Sequence, residues 1–260
     1  MTNSVFDAAA FTARLFFPFE DDRPAPGGAQ DIMVPVSRDV RLHVRVHPAR
    51  RPRVAAVLFH GNGELVADYD VFAPRYQQAD TTLAVVDFRG YGRSEGFPSY
   101  RSVVADAPKV VEELRPILRS ETGPLPIVVV GRSLGSACAA EIARQAPAGV
   151  SGLVIESGFG DLEAFVARRD MRTDGPLPEA DQEAFCPLRK LRQSTLPLLL
   201  IHGAQDQLID PREARLLFNA AATHEKQLVY IEGHGHNDVM QASAYWRALS
   251  DFLRARAVRP

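Results

Sequence analysis

Six short apolar runs dominate the chain: RVAAVLFHG, TTLAVVDFRG, PIVVVGRS, SGLVIESG, LPLLLIHG and KQLVYIEGHG, each closed by glycine or a polar residue. Near-continuous apolarity over so few residues marks strands covered on both faces, as in a parallel sheet. Amphipathic stretches of helical length separate them, at about Tyr69 to Gln78, Ser102 to Leu118, Leu134 to Gln145, Pro211 to Ala222 and Asn237 to Val258. Strand and helix in alternation predict a doubly wound α/β sheet with helices on both faces. Ahead of this pattern, the break RPAPGG is followed by DIMVPV and VRLHVRVHP, joined by SRD, which reads as an antiparallel hairpin.

Two stretches fall outside the alternation. Residues 157–195 separate two strands by far more than a normal loop and carry the polar, proline-bearing RRDMRTDGPLPEADQ, which predicts a short cap inserted into the domain. Residues 1–30 form an extension whose Phe11, Phe16, Phe17 and Phe19 are expected to cover an edge of the core. The extension has no basic leader and Arg14 breaks its apolar run, so a signal peptide is not expected. No run approaches the roughly 20 apolar residues of a spanning helix, and a cytoplasmic location is the expectation. Residues 31–260 are expected to form one domain, since 260 residues bury a single substantial core. A formal net charge of -2 with dispersed arginines argues against a nucleic-acid partner. The two cysteines, Cys138 and Cys186, suit neither a disulfide framework nor a zinc site, and Cys138 reads as a small buried hydrophobe.

In doubly wound sheets ligands gather beyond the carboxyl ends of the strands, so the polar residues that close the apolar runs are the candidates for chemistry. GRSLG, Gly131 to Gly135, is a GxSxG at a strand-to-helix junction, the setting of a nucleophile elbow. The turn is sharp enough that side chains two places either side of Ser133 would collide with their surroundings. A serine hydroxyl needs a base to take its proton, and the base needs an acid to orient it. Among downstream acids, Asp210 precedes Pro211 and a helix and suits an N-cap, which leaves Asp206 to orient a histidine; Glu156 is the fallback. His236 lies further out on its loop than His234 and is the preferred base, while His60 and His202 end strands and are expected to be buried and hydrogen-bonded. For the oxyanion that attack creates, the main-chain N–H groups of Leu134 and Asn62 are the candidates, with Gly61 and Gly63 giving the backbone close approach.

FHGNGE, VVDFRGYGRSEG, GRSLGS, IHGAQDQL and GHGHND, in that order, resemble the α/β-hydrolase superfamily. Within it they most resemble the small short-cap serine hydrolases with an HGN oxyanion loop, a group that includes α/β-hydrolase-domain depalmitoylases and esterases. The resemblance runs from about Asp31 to the C-terminus. It implies Ser133 as nucleophile, Asp206 as acid, His236 as base and the amides of Asn62 and Leu134 as oxyanion hole, with no cofactor and no metal. It also implies that Asp87 and Arg89 brace loops. The cysteine-rich N-terminal segment by which some depalmitoylases attach to membranes is absent from this sequence. The expected activity is cleavage of carboxylic esters or thioesters of a small-molecule or acyl substrate through an acyl-serine, with Leu65, Phe159, Leu208 and Met240 as candidate lining residues. Amidase, peptidase, acyltransferase and perhydrolase chemistry use the same triad and stay open, as does a non-catalytic binding module on the same fold. Oligomeric state is not legible.

Overall fold

The computed structural model describes residues 4–168 and 176–257. An eight-stranded sheet is formed by β1 (Gln30–Ser37), β2 (Val40–His47), β3 (Val54–Phe59), β4 (Thr81–Val86), β5 (Ile127–Arg132), β6 (Val150–Glu156), β7 (Leu198–Gly203) and β8 (Lys226–Ile231). Their spatial order is β1-β2-β4-β3-β5-β6-β7-β8. β1 and β2 form the antiparallel hairpin, β2 pairs antiparallel with β4, and every later pairing is parallel. This is the mostly parallel sheet that the alternation predicts, with the expected antiparallel hairpin at its start.

The helices are α1 (Ala9–Leu15), α2 (Ala73–Gln77), α3 (Tyr100–Leu114), α4 (Ser136–Gln145), α5 (Leu162–Ala167), α6 (Glu179–Phe185), α7 (Pro187–Leu191), α8 (Arg212–Ala220) and α9 (Ser243–Arg256). Alternate residues of each strand feed two cores. Ala55, Val57, Phe59, Ile127, Val129, Leu153, Ile155, Leu198 and Leu200 join the side chains of α1, α3, α4 and α8 on one face. Val54, Ala56, Leu58, Val128, Val130, Val154, Leu199 and Ile201 join Tyr76, Tyr245, Trp246 and Phe252 from α2 and α9 on the other. Burying a residue of this type stabilises the fold by about 1.5–3 kcal/mol relative to exposure, so the inner strands carry most of the driving force.

Several boundaries differ from the sequence expectation for identifiable reasons. The segment expected from Tyr69 to Gln78 splits into a 3₁₀ turn (Val66–Tyr69) and α2, whose first turn holds Pro74. α3 starts at Tyr100 because the Ser99 hydroxyl accepts the Ser102 N–H at 3.0 Å. α9 starts at Ser243 rather than Asn237, since Asp238 turns back to accept the Gly235 N–H at 2.7 Å; Val258 lies outside the described residues. β8, though apolar in sequence, is an edge strand and only half-buried. Phe11 and Phe16 enter the core, but Phe17 and Phe19 are 60% and 45% exposed. Phe16 is extended, so consecutive side chains there point to opposite sides and the four phenylalanines cannot share one face.

Between β6 and β7 the chain passes through α5, α6 and α7; residues 169–175 of this stretch lie outside the described part. Buried Glu213 of α8 accepts the N–H groups of Gly160 and Asp161, each at 2.9 Å. Lys190 of α7 pairs with Glu141 of α4 at 2.7 Å. Phe6, without exposed surface, sits 4.8 Å from the Phe185 ring and 5.0 Å from that of Tyr100, which ties the N-terminal segment to both α6 and α3. Phe6→Ala is expected to lower the unfolding free energy by about 3–5 kcal/mol in urea titrations; a change under about 1 kcal/mol would mean the segment is only loosely attached.

Candidate active site

The parallel register brings the strand ends together. Phe59 lies beside Gly131, Arg132 beside Glu156, Glu156 beside Ile201, and Ile231 beside Gly203. The loops after β3, β5, β7 and β8 therefore emerge at one rim.

At its centre β5 turns abruptly into a 3₁₀ turn (Ser133–Gly135) and α4. Ser133 has φ +49°, a left-handed conformation that costs a non-glycine residue about 1–3 kcal/mol. The flanking glycines are sterically required: a β-carbon on Gly131 would lie 2.4 Å from the Gly135 carbonyl oxygen, and one on Gly135 would lie 2.1 Å from that of Phe59. The Ser136 hydroxyl donates to the Ser133 carbonyl at 2.6 Å and ties the turn down.

Ser133 and Asp206, distant in sequence, are joined through His236. His236 Nε2 is 3.0 Å from Ser133 Oγ, and its Nδ1 is 2.7 Å from Asp206 Oδ2. A carboxylate only accepts, so Nδ1 carries the proton and Nε2 presents its lone pair to the serine hydroxyl. The three are buried but not sealed, with 9%, 6% and 9% exposure for Ser133, Asp206 and His236. Asp206 also accepts the N–H groups of Leu208 and Ile209 at 2.9 and 2.8 Å, and His202 Nε2 lies 3.1 Å from Oδ2. Burial by itself would raise the Asp206 pKa, but the hydrogen bonds from His202, His236 and the Ile209 N–H outweigh it and hold the carboxyl well below the usual carboxylate range.

The other candidates separate clearly. Glu156 is engaged by Tyr245 at 2.7 Å and by Arg132 at 3.2 Å, and Asp206 is the acid that meets the histidine. His234 Nδ1 donates to the Glu232 carbonyl at 2.9 Å. His60 is fully buried, with Nδ1 donating to the Gly61 carbonyl at 2.7 Å and Nε2 lying 3.3 Å from Asp87. Asp210 accepts the Arg212 N–H at 2.9 Å at the entry to α8, whose first helical residue is Arg212 rather than Pro211. Arg89 grips Asp106 of α3 through two bonds of 2.6 and 2.8 Å. Cys138 is buried, its thiol donating to the Val103 carbonyl at 3.4 Å.

The main-chain N–H groups of Asn62 and Leu134, the two expected oxyanion donors, lie in the loop after β3 and in the 3₁₀ turn at Ser133. The four expected lining residues do not stay together. Leu65 and Phe159 have no exposed surface and belong to the core, where Phe159 stacks on Phe165 at 3.9 Å; neither lines an open cleft. Leu208, two residues past Asp206, is 61% exposed. Met240 is half-buried and borders a cavity of about 120 Å³ together with Glu64, Arg132 and Glu156. Among the described residues no group of three or more His, Cys, Asp or Glu is arranged to hold a metal ion.

Sequence reasoning did not single out Arg132, which is 5% exposed and lies between Gly131 and the serine. Its guanidinium pairs with Glu64 of the loop after β3 and with Glu156, and donates to the His236 carbonyl at 3.1 Å and to Asn237 Oδ1 at 3.2 Å. Glu64 in turn accepts the Gly61 N–H at 2.8 Å and the Tyr69 hydroxyl at 2.7 Å. One cation thus joins the elbow, the loop after β3 and the histidine loop. Burial pushes the Glu156 carboxyl up, against the pull of Arg132 and the Tyr245 hydroxyl. The available signal was a charged residue inside an apolar strand end, which requires an acidic partner when buried.

Arg132→Met should destabilise by about 3–5 kcal/mol, because it strands two acids, and adding Glu156→Gln should recover part of that loss in urea unfolding. The Asp206 linkage has a definite sign. Its folded pKa lies below the ordinary 3.8, so the unfolded chain takes up this proton first, and the stabilisation present above that value is lost as pH falls through the lower folded value. The unfolding free energy of Asp206→Asn should therefore fall less steeply than that of the unchanged chain below about pH 4; parallel curves would contradict the linkage.

Comparison with known proteins agrees with the fold. The family model described as "Serine aminopeptidase, S33" matches residues 50–173 and 186–240. The WAV2 α/β-hydrolase-domain protein of Arabidopsis thaliana is 24% identical over 88% of this chain and 79% of its own length. Among solved structures, the Pyrococcus furiosus esterase Pf2001 superposes with a TM-score of 0.74 at 17% identity, covering 94% of this chain and 98% of that one. Thermogutta terrifontis esterase 2, phosphorylated by paraoxon, superposes with a TM-score of 0.69 at 18% identity, covering 91% and 98%. With the matched segments spanning well over half its length, the chain belongs to the serine aminopeptidase S33 family of hydrolases, within the α/β-hydrolase superfamily.

Proposed function

We propose that the protein is a serine hydrolase that cleaves carboxylic esters or thioesters of small-molecule or acyl substrates through an acyl-serine intermediate. The 3.0 Å contact from Ser133 Oγ to His236 Nε2, continued at 2.7 Å to Asp206, carries this assignment. Ser133 attacks the acyl carbonyl as His236 takes its proton at Nε2, and Asp206 holds the imidazole and stabilises the imidazolium. The N–H groups of Asn62 and Leu134 stabilise the oxyanion, His236 returns the proton to the departing alcohol or thiol, and water then repeats the sequence on the acyl-serine. The described parts of the stretch between β6 and β7, residues 157–168 and 176–195, act as the short cap, and Leu208 contributes to the lip of the cleft. A structural neighbour that is an esterase phosphorylated by paraoxon supports an ester-cleaving reading. The family description favours peptide amides as a second reading, since the same three side chains would serve both.

Purified protein should hydrolyse p-nitrophenyl acetate and butyrate, and Ser133→Ala should lower kcat by at least about 10³-fold. An acyl thioester and leucine p-nitroanilide assayed beside them decide among ester, thioester and amide. Equal turnover by the two proteins would overturn the assignment.

A further inference from the structure

The role proposed for residue 62 uses only its main chain, yet its side chain is held at both ends by groups outside its own loop. Asn62 Nδ2 donates to the Leu15 carbonyl at 2.5 Å, and its Oδ1 accepts the Tyr91 hydroxyl at 2.7 Å. The same Tyr91 oxygen accepts the Phe17 N–H at 3.0 Å, and the Phe19 carbonyl accepts the Gly92 N–H at 2.9 Å. Tyr91 has no exposed surface, so its hydroxyl both donates and accepts without help from bulk water. The loop it braces contains Gly61 and Gly63, the latter at φ +76°, and glycine gives such a loop little stiffness of its own. The other end of the N-terminal segment is fixed separately: Phe6, Phe11, Leu15 and Phe16 are buried, and Phe6 contacts Phe185 of α6.

We infer that the segment of residues 4–19 is a strap that presets the oxyanion loop, with the Asn62 side chain and Tyr91 as its positioning residues. The inference rests on the hydrolase reading above. An oxyanion donor is effective only if it is aimed before the reaction begins, and a misplacement of 1 Å can cost about 10²-fold in rate. Asn62 connects the strap to the donor, because any displacement of Leu15 or Tyr91 is transmitted through one short amide to the backbone that carries the N–H. Without the strap the loop would keep its bonds to Glu64, His60 and Asp87, and with them its fold, but lose its aim.

The test measures p-nitrophenyl butyrate hydrolysis by the full chain and its variants, with folding followed by circular dichroism. Asn62→Ala retains the main-chain N–H and removes both clamps; kcat should fall about 10- to 100-fold with KM changed less than about threefold. Tyr91→Phe, which removes the hydroxyl alone, should give a smaller loss in the same direction, and Phe97→Ala, at a 90% exposed position, should leave kcat unchanged. A purely structural role would lower the Tm of Asn62→Ala and leave its kcat intact well below that temperature. Folded Asn62→Ala with kcat within about twofold of the unchanged chain would overturn the strap while leaving the hydrolase reading in place. Absence of Ser133-dependent turnover in the unchanged chain would remove both.

Discussion

The turn at Ser133 has no room for a β-carbon on either side, and the rest of the site is arranged around that exclusion. Gly131 meets the backbone of Gly135, and Gly135 meets the end of β3, so the elbow is wedged between its own helix and the neighbouring strand. A serine forced to φ +49° cannot relax without pushing apart elements whose side chains form both cores. The local strain of about 1–3 kcal/mol is small beside the burial of the inner strands, which is why the fold can hold it. The same closeness recurs at β7, where a β-carbon on Gly203 would lie 2.3 Å from the Gly235 carbonyl oxygen. The histidine loop is therefore seated directly on the strand that delivers Asp206.

Buried charge does the remaining positioning. Arg132 binds two loops and the end of β6 at once, and Asp87 does similar work behind the loop after β3, accepting the Val66 N–H at 2.9 Å and contacting His43 at 2.9 Å. Arg45, 1% exposed at its side chain, pairs with Asp31 and Asp70 and links the hairpin to the same region. Such ion pairs add little net stability, because desolvation offsets most of their attraction. Their directional hydrogen bonds select one loop arrangement among several of similar hydrophobic content, and a site built on loops needs that selection.

Much of this was legible in the chain because it is local. Inner strands announce themselves by uninterrupted apolarity, and the glycines of GRSLG at a strand-to-helix junction mark the sharp turn that carries Ser133. Asp206 and His236 could be separated from Asp210 and His234 because capping and loop position are short-range properties. What could not be read depends on partners distant in sequence. Asn62 has a backbone role suggested by its glycines, but its side-chain partners, Leu15 and Tyr91, lie 47 and 29 residues away. Arg132 reveals its function only when the register puts Glu156 beside it. Leu65 and Phe159 illustrate the converse: an apolar residue near a motif is compatible with core and cleft alike, and only packing decides.

The most direct measurement of the central claim is covalent labelling of the folded protein by a fluorophosphonate, read by intact mass and peptide mapping. The account predicts one adduct, located on Ser133, lost in Ser133→Ala and formed far more slowly in His236→Ala. No adduct on the folded chain, or an adduct on another residue that persists in Ser133→Ala, would contradict it.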